Sequence, residues 1–491
     1  MPSPRVHVVA AVPGWDDLRT ELGVPDAFPR EVLAEAEAQH PALPEHDLRD
    51  VPFLTIDPPG SIDLDQAMAL SRTDTGYLVQ YAIADVAAFV GAGGAIDSEA
   101  HQRGETLYAP DKRTPLHPEV LSEDRASLLA DQDRPALVWG LTLDEQGLLT
   151  HTDVRRAAVR SRRKLDYPSV QAMIDDGSAT PDLLLLKEIG QLRQADARRR
   201  GAVDLPTPDQ EVDADGRLTY RAQLPCEQWN AQISLLTGMA AAGLMLEGKV
   251  GLLRTLPTPD DQDVQSLRRS ALALGIDWPD GTPYGDVLSA LDPSDPAAAA
   301  LLTLSTRLLR GAGYTAFDGV LPELTTHSAV AASYAHCTAP LRRLVDRYVG
   351  EVCVALCAGT EIPSWARDAL PALPEEMAAA DHRGHALDRA IVDLAEALVM
   401  QHRVGETFQG VVVEANAHGG TVQLKVPAVR GKLEGADLPL GKEIAVRVTE
   451  ADIAKRSVRF ALAQGRVAPE RRQRSGQDER PDDAHDAAET D

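Results

Sequence analysis

The chain has 491 residues, too many for one compact core, so one large body with one or two small modules is expected. Hydrophobic residues make up 44% but aromatic ones only 4%, so Leu, Val and Ala must fill the core. With 49 Lys and Arg against 75 Asp and Glu, the net charge of −26 argues against a protein that merely coats nucleic acid, but not against an enzyme with carboxylates at its centre and cations along its track.

Residues 1–48 are short and polar and read as a small helical module. Asp26-Ala-Phe-Pro-Arg-Glu-Val-Leu-Ala-Glu-Ala-Glu predicts a capped helix with acids near its start, with one or two helices ahead of it. There is no apolar signal region and no run long enough to span a bilayer, so a soluble, cytoplasmic protein without a membrane partner is expected. Residues 51–160 are rich in strand candidates, among them Val51-Pro-Phe-Leu-Thr-Ile and Tyr77-Leu-Val-Gln-Tyr-Ala-Ile-Ala. Residues 165–400 carry apolar residues at helical spacing, as in 232–246, 297–310 and 341–356, with Pro/Asp-rich loops near 256–263 and 278–296.

Two basic runs stand out, Arg155, Arg156, Arg160, Arg162, Arg163 and Lys164, and Arg198, Arg199 and Arg200. Each alone reads more readily as a solvated helix face than as an RNA track. Cys226, Cys337, Cys353 and Cys357 make neither a disulfide framework nor a CxxC zinc pair, and the last two read as core. Residues 404–462 break into about five short strands separated by Gly and Asp/Asn turns, the pattern of a small barrel of the OB type. The last stretch, 463–491, is polar and charged and predicts a disordered tail.

The most informative segment is Thr55-Ile-Asp57-Pro-Pro-Gly-Ser-Ile-Asp63-Leu-Asp65-Gln66-Ala. If 63–65 is extended, Asp63 and Asp65 share a side. The Pro-Pro-Gly turn could fold Asp57 back toward them. Converging carboxylates repel, and a hard divalent cation such as Mg²⁺ relieves that cost. A bound cation of this kind supports in-line displacement at a phosphodiester. A surface turn rich in Asp is the plain alternative. The apolar flanks, Phe53, Leu54 and Ile56 before and Ala67 to Leu70 after, instead suggest the end of a buried element.

The segment resembles the signature of the ribonuclease II (RNB) family, close to I-D-x-x-x-x-x-D-x-D-D-A. Tyr81-Ala-Ile-Ala-Asp85-Val is similar to its V-x-I-A-D-V, Thr106-Leu-Tyr108-Ala-Pro-Asp111 to its T-x-Y-L-P-D, and Pro115-Leu-His-Pro-Glu119-Val-Leu-Ser122 to its P-M-L-P-x-x-L-S. The stretch from His327 through Tyr334, His336, Thr338 and Pro340 to Arg342, Arg343 and Asp346 resembles H-x-x-L-x-x-x-Y-x-H-F-T-S-P-I-R-R-Y-x-D. The C-terminal barrel resembles an S1 RNA-binding domain.

The resemblance implies an α+β fold: an RNB-type catalytic domain over 49–400 around a narrow RNA channel, with an S1-like OB barrel over 404–462. It implies a 3′-to-5′ exoribonuclease that hydrolyses single-stranded RNA to nucleoside 5′-monophosphates with Mg²⁺, acting as a monomer. Asp57, Asp63 and Asp65 would hold the ion, with Asp65 the indispensable acid, and Arg342 would steady the scissile phosphate. Tyr108 would stack on the 3′-terminal base, with Arg343 and Asp388 also on the RNA. His336 reads as structural. Gln66 stands where the family has a fourth aspartate. Its amide could ligate a second ion weakly or bond a water. Cys337-Thr-Ala-Pro also departs from Phe-Thr-Ser-Pro, and the residues ahead of the body are too few for the two cold-shock domains that many members carry. The rival readings are a non-catalytic RNA-binding protein on a degenerate nuclease body and an unrelated metal-dependent phosphohydrolase acting on small phosphoesters.

Overall fold

The computed structural model describes residues 15–203, 205, 209–212, 218–221 and 223–463. The chain opens with α1 (Trp15–Glu21) and α2 (Arg30–Ala38). Strands β1 (Phe53–Asp57), β2 (Gln66–Thr73) and β3 (Gly76–Ala84) lead to α3 (Ala95–Arg103) and the small hairpin β4 (Leu107–Tyr108) and β5 (Arg113–Thr114). The long strands β6 (Asp133–Asp144) and β7 (Leu149–Asp166) run into α4 (Tyr167–Asp175) and α5 (Pro181–Arg200). A short hairpin, β8 (Asp209–Val212) and β9 (Leu218–Arg221), precedes α6 (Pro225–Gly248) and β10 (Val250–Thr255). Then come α7 (Asp261–Ala273), α8 (Tyr284–Ser289), α9 (Pro296–Ser305) and β11 (Gly313–Asp318). The body closes with α10 (Leu344–Ala358), α11 (Ser364–Ala369) and α12 (Leu373–Met400). Last are β12 (Thr407–Asn416), β13 (Gly419–Leu424), β14 (Arg430–Glu434), β15 (Glu443–Asp452) and β16 (Ser457–Leu462).

Two closed five-stranded barrels organise this α+β fold. The first has the order β1-β2-β3-β6-β7, with β1 antiparallel to β2 and parallel to β7. Successive residues of a strand face opposite sides. Leu54, Ile56, Val79, Tyr81 and Ile83 accordingly enter one core with the helices, whereas Phe53, Ala82 and Ala84 enter another on the opposite face. Both faces of β1 are therefore buried, and the only partly exposed residue of that strand is its last, Asp57. The second barrel has the order β12-β13-β14-β16-β15, closed by parallel pairing of β14 with β16. Its Val412, Val422, Leu424, Val446, Val448 and Phe460 share a core with Leu387, Ile391 and Leu394 of α12 and with Trp15 and Leu18 of α1. Val413 faces the other way, into the core formed by α7, α8 and α9. The barrel is thus gripped from two sides.

Local chemistry explains several helix starts. Pro occupies the first turn of α5, α6 and α9, where its missing N–H costs nothing. Asp166 and Ser169 form a capping box on α4, and Asp295 caps α9 through the amide of Ala298. The helix expected from Asp26 begins instead at Arg30, after Pro29, with no side-chain cap. Asp26 pairs with Lys112. One helix, α1, lies ahead of it among the described residues.

The first basic run is not the helix face that the sequence suggested, whereas the second does lie on an exposed helix end. Arg155 to Lys164 lie on strand β7, not on a helix, and most pair with acids. Arg156 bridges Asp85 and Glu351, Arg160 meets Asp133 at 2.6 Å and Arg163 meets Asp182. The second run ends α5, where positive charge suits the helix dipole, and Arg199 and Arg200 fold back onto Asp196. Cys226, Cys337 and Cys353 are buried and free, and Cys357 is half-buried. Among the described residues no helix is long and apolar enough to cross a membrane. The tail expected over 463–491 lies outside the described residues beyond 463.

Candidate active site

The acidic segment leaves the first barrel at the end of β1. Gly60, at φ +81°, makes the turn that a side chain would strain, and the amide of Ser61 donates to the Pro58 carbonyl. The buried Ser127 hydroxyl fixes residues 62–64, donating to the Ile62 carbonyl (2.7 Å) and accepting from the Leu64 amide (2.9 Å). Leu64 is fully buried between the two acids. Asp65, 4% exposed, then re-enters the barrel, its carbonyl accepting from the Ala84 amide.

The segment 334–343 faces these acids. Gly238 of α6 lets it approach, because a Cβ there would fall 2.2 Å from the Tyr334 ring. Asp65 Oδ1 accepts from the Leu341 amide at 2.7 Å, and Asp65 Oδ2 lies 3.6 Å from Arg342 Nε. Backbone bonds from Thr106 to the Arg342 carbonyl (2.9 Å) and from Leu344 to the Gly104 carbonyl (2.9 Å) hold the arginine's main chain. Gln66 is committed elsewhere: its Nε2 donates to the Thr338 carbonyl (2.5 Å) and its Oε1 accepts from the Tyr81 hydroxyl (3.2 Å). Arg343, expected on RNA, points its guanidinium inward instead. It donates twice to Asp346, at 2.5 and 2.8 Å, and its side chain is 16% exposed. His336 is buried, bonded to the Tyr314 hydroxyl, and burial holds it well below the usual histidine range, so it is neutral and structural.

The β4–β5 hairpin supplies Tyr108, whose hydroxyl donates to Asp63 Oδ2 at 3.4 Å. It also supplies a residue that sequence reasoning missed. Arg113, paired across the hairpin with Tyr108, donates to Asp63 Oδ1 at 2.9 Å and also pairs with Glu123. Its signal was its place just after the Thr106–Asp111 motif. Asp388 stands on α12 and is electrostatically coupled to Glu105.

Glu105 is a second residue the sequence did not flag. Burial and the neighbouring Asp381 push its carboxyl up to about 7, with Asp388 adding to the effect and Arg343 and Arg342 opposing it. The folded pKa lies above the unfolded one. The stability gained from the neutral acid is therefore complete below about 4.5 and is lost as pH rises through 7. Glu105→Gln, which is neutral at every pH, is expected to stabilise the protein by about 2 kcal/mol at pH 8. In thermal melts the difference from the parent protein should shrink as pH falls to 4.5, and a pH-independent difference would refute the assignment.

Electrostatics favour a cation among the aspartates. Burial and the charge of Asp63 push Asp57 up to about 7, against the opposing pull of Arg342 and Lys164. Burial likewise raises Asp65 well above the usual carboxylate range, despite Arg342 and the Leu341 amide. A buried and a half-buried carboxyl that the local cations do not hold ionised, coupled to a third, are oxygen donors of the kind a hard divalent ion takes. The donor set fits such an ion in chemistry. In geometry, no three His, Cys, Asp or Glu side chains among the described residues stand close enough together to form a ligand cluster.

Coupled carboxylates facing an arginine, on a barrel-and-helix body joined to an OB-type barrel, define the class of architecture. The family model described as "RNB domain" matches residues 45–357, and that of the RNase II-type exonuclease C-terminal S1 domain matches 406–463. The chain belongs to the RNB family. Ribonuclease R of Aquifex aeolicus is 29% identical over 448 residues, covering 85% of this chain and 62% of that protein. The exosome complex exonuclease RRP44 homolog A of Arabidopsis thaliana is 29% identical over 341 residues, covering 66% of this chain and 36% of that protein. The chain thus spans less than two thirds of these relatives. Among solved structures, Mycoplasma genitalium RNase R in complex with ribose-methylated single-stranded RNA superposes with a TM-score of 0.82 at 20% identity, covering 92% of this chain and 78% of that one. Yeast Ssd1, described as a pseudonuclease, superposes at 0.66 and 18% identity, covering 86% of this chain and 54% of that one. The shared fold is therefore compatible with either catalysis or its loss.

Proposed function

We propose that the chain is a 3′-to-5′ exoribonuclease that hydrolyses single-stranded RNA to nucleoside 5′-monophosphates with Mg²⁺. The observation that carries the reading is Asp65, a carboxylate buried at the barrel edge and tied to the Leu341 amide, with Arg342 at 3.6 Å. Asp57, Asp63 and Asp65 would supply the carboxylate oxygens for the ion, drawn together from their metal-free positions, with Asp63 keeping the Arg113 and Tyr108 contacts that orient it. Gln66 is left out of the set, because its amide is bonded to Thr338 and Tyr81. When bound, a divalent cation supplies Lewis acidity toward a phosphodiester oxygen. In the reaction, water adds to the terminal phosphorus, the P–O3′ bond breaks, and the 3′ oxygen leaves with a proton. The guanidinium of Arg342, with 37% of its side chain exposed, is free to meet the charge developing on the phosphate. Tyr108 offers a ring on which the terminal base can stack whatever its identity. The S1-type barrel supplies a further surface for single-stranded RNA.

Incubating the protein with uniformly labelled oligo(A), with Mg²⁺ and then with EDTA, tests the reading. Mononucleotide release that the chelator stops is expected. Binding without release would instead favour a non-catalytic RNA-binding protein, which the pseudonuclease likeness and Gln66 keep as the second reading. Tyr108→Ala is expected to lengthen the final undegraded fragment, since stacking contributes about 1–3 kcal/mol per base. An unchanged ladder of products on a sequencing gel would count against the stacking role.

A further inference from the structure

The motif residue Asp111 has no part in the proposed mechanism, yet it is held by an unusual partner. It sits at the tip of the β4–β5 hairpin, where the amide of Ala109 donates to the Lys112 carbonyl and closes a tight turn. Arg19 of α1, 5% exposed, grips it with both terminal nitrogens, at 2.7 and 2.8 Å. Such a two-pronged contact, buried on the arginine's side and partly exposed on the aspartate's, fixes orientation as well as distance. Burial pushes the Asp111 carboxyl up and the Arg19 fork more than offsets it, so the acid stays ionised.

The grip continues on both sides. Lys112 pairs with Asp26, in the link between α1 and α2. Leu107, the neighbour of Tyr108, lies in the same core as Trp15 and Leu18 of α1 and the packed face of α12. At the far end of α1, Glu21 takes both terminal nitrogens of Arg456 in the second barrel, at 2.7 and 2.8 Å. One seven-residue helix therefore ties the hairpin bearing Tyr108 and Arg113, the helix α12 and the S1-type barrel together. Nothing so short could form a stable helix by itself. Its contacts, not its propensity, hold it in place.

We propose that α1 is a strap, and that Arg19 is a positioning residue that, through Asp111, sets the β4–β5 hairpin so that Tyr108 and Arg113 bear on Asp63. Two hydrogen bonds from one hairpin onto one candidate ligand, at 3.4 and 2.9 Å, are the geometry that this strap preserves. The kinetic consequence rests on the exoribonuclease reading; the mechanical consequence does not.

Asp111→Asn tests it on a partly exposed turn, where loss of one charge leaves the fold intact, with Asp111→Glu as the conservative rescue. Backbone hydrogen exchange over 107–114 is expected to quicken about tenfold in Asp111→Asn and to return toward the parent rate in Asp111→Glu, with β12 to β16 unchanged. On single-stranded oligo(A), kcat is expected to fall about tenfold with KM within twofold, because the lost element acts at the RNA end and not along its length. Unchanged exchange over 107–114 would overturn the strap. Faster exchange with unaltered kcat in an active parent protein would overturn the coupling to the site. If the parent protein releases no nucleotide, the exoribonuclease reading fails while the exchange measurement still decides the strap.

Discussion

Asp65→Asn is expected to cut RNA hydrolysis by about 10³-fold or more while RNA still binds. The substitution keeps shape, and Asn Oδ1 can still accept from the Leu341 amide that Asp65 Oδ1 holds at 2.7 Å. What it removes is the anion. An amide NH₂ would then face Arg342 Nε, donor against donor, where the carboxylate oxygen now lies at 3.6 Å. The site would lose the acid best placed both to hold a cation and to orient the arginine. Stability should move the other way. Burial holds the Asp65 carboxyl well above its ordinary range, so ionising it costs the fold free energy that a neutral amide does not. Melting without added metal should show the variant equal to or more stable than the parent, and Mg²⁺ should raise its melting temperature less. Near-normal nucleotide release would remove Asp65 from the mechanism.

Arg342→Ala is the second large effect, an expected loss of about 10² to 10³ in kcat with a smaller change in KM. Arg342 is set by its main chain, through the bonds that join it to Thr106 and Leu344, two residues on, to Gly104. Truncating the side chain should leave that frame in place, so circular dichroism and melting are expected to be unchanged. Arg342→Lys is expected to recover only part of the loss, because an ammonium is a point charge without the two-pronged fork that matches phosphate oxygens. Single-turnover rates on short oligo(A) separate this from altered RNA binding. A comparable rise in KM with kcat unchanged would make Arg342 a binding residue only.

The adjacent Arg343 shows why two arginines in one motif cannot be sorted by sequence. Both occupy the approach to α10, and their side chains diverge: one meets Asp65, the other is spent on Asp346. Asp346 also takes the Ala339 amide and so builds the turn that presents Arg342. Gln66 carries the same lesson. In sequence it is the missing acid. In space its amide reaches a carbonyl 272 residues away and braces the segment that Asp65 also holds.

By itself the sequence determined the α+β class, the five-stranded C-terminal barrel and the acidic strand–turn segment, because these rest on local periodicity, turn chemistry and motifs read in order. The tertiary structure alone decided which charged side chains neutralise one another. It placed the Arg155–Lys164 run on a paired strand, brought Arg113 to Asp63, set Glu105 against Asp381 and Asp388, and closed Arg19 on Asp111. A charge acts over a few ångströms in a poorly screened interior, and its partner is chosen by folding across tens or hundreds of residues, a distance that no local pattern encodes.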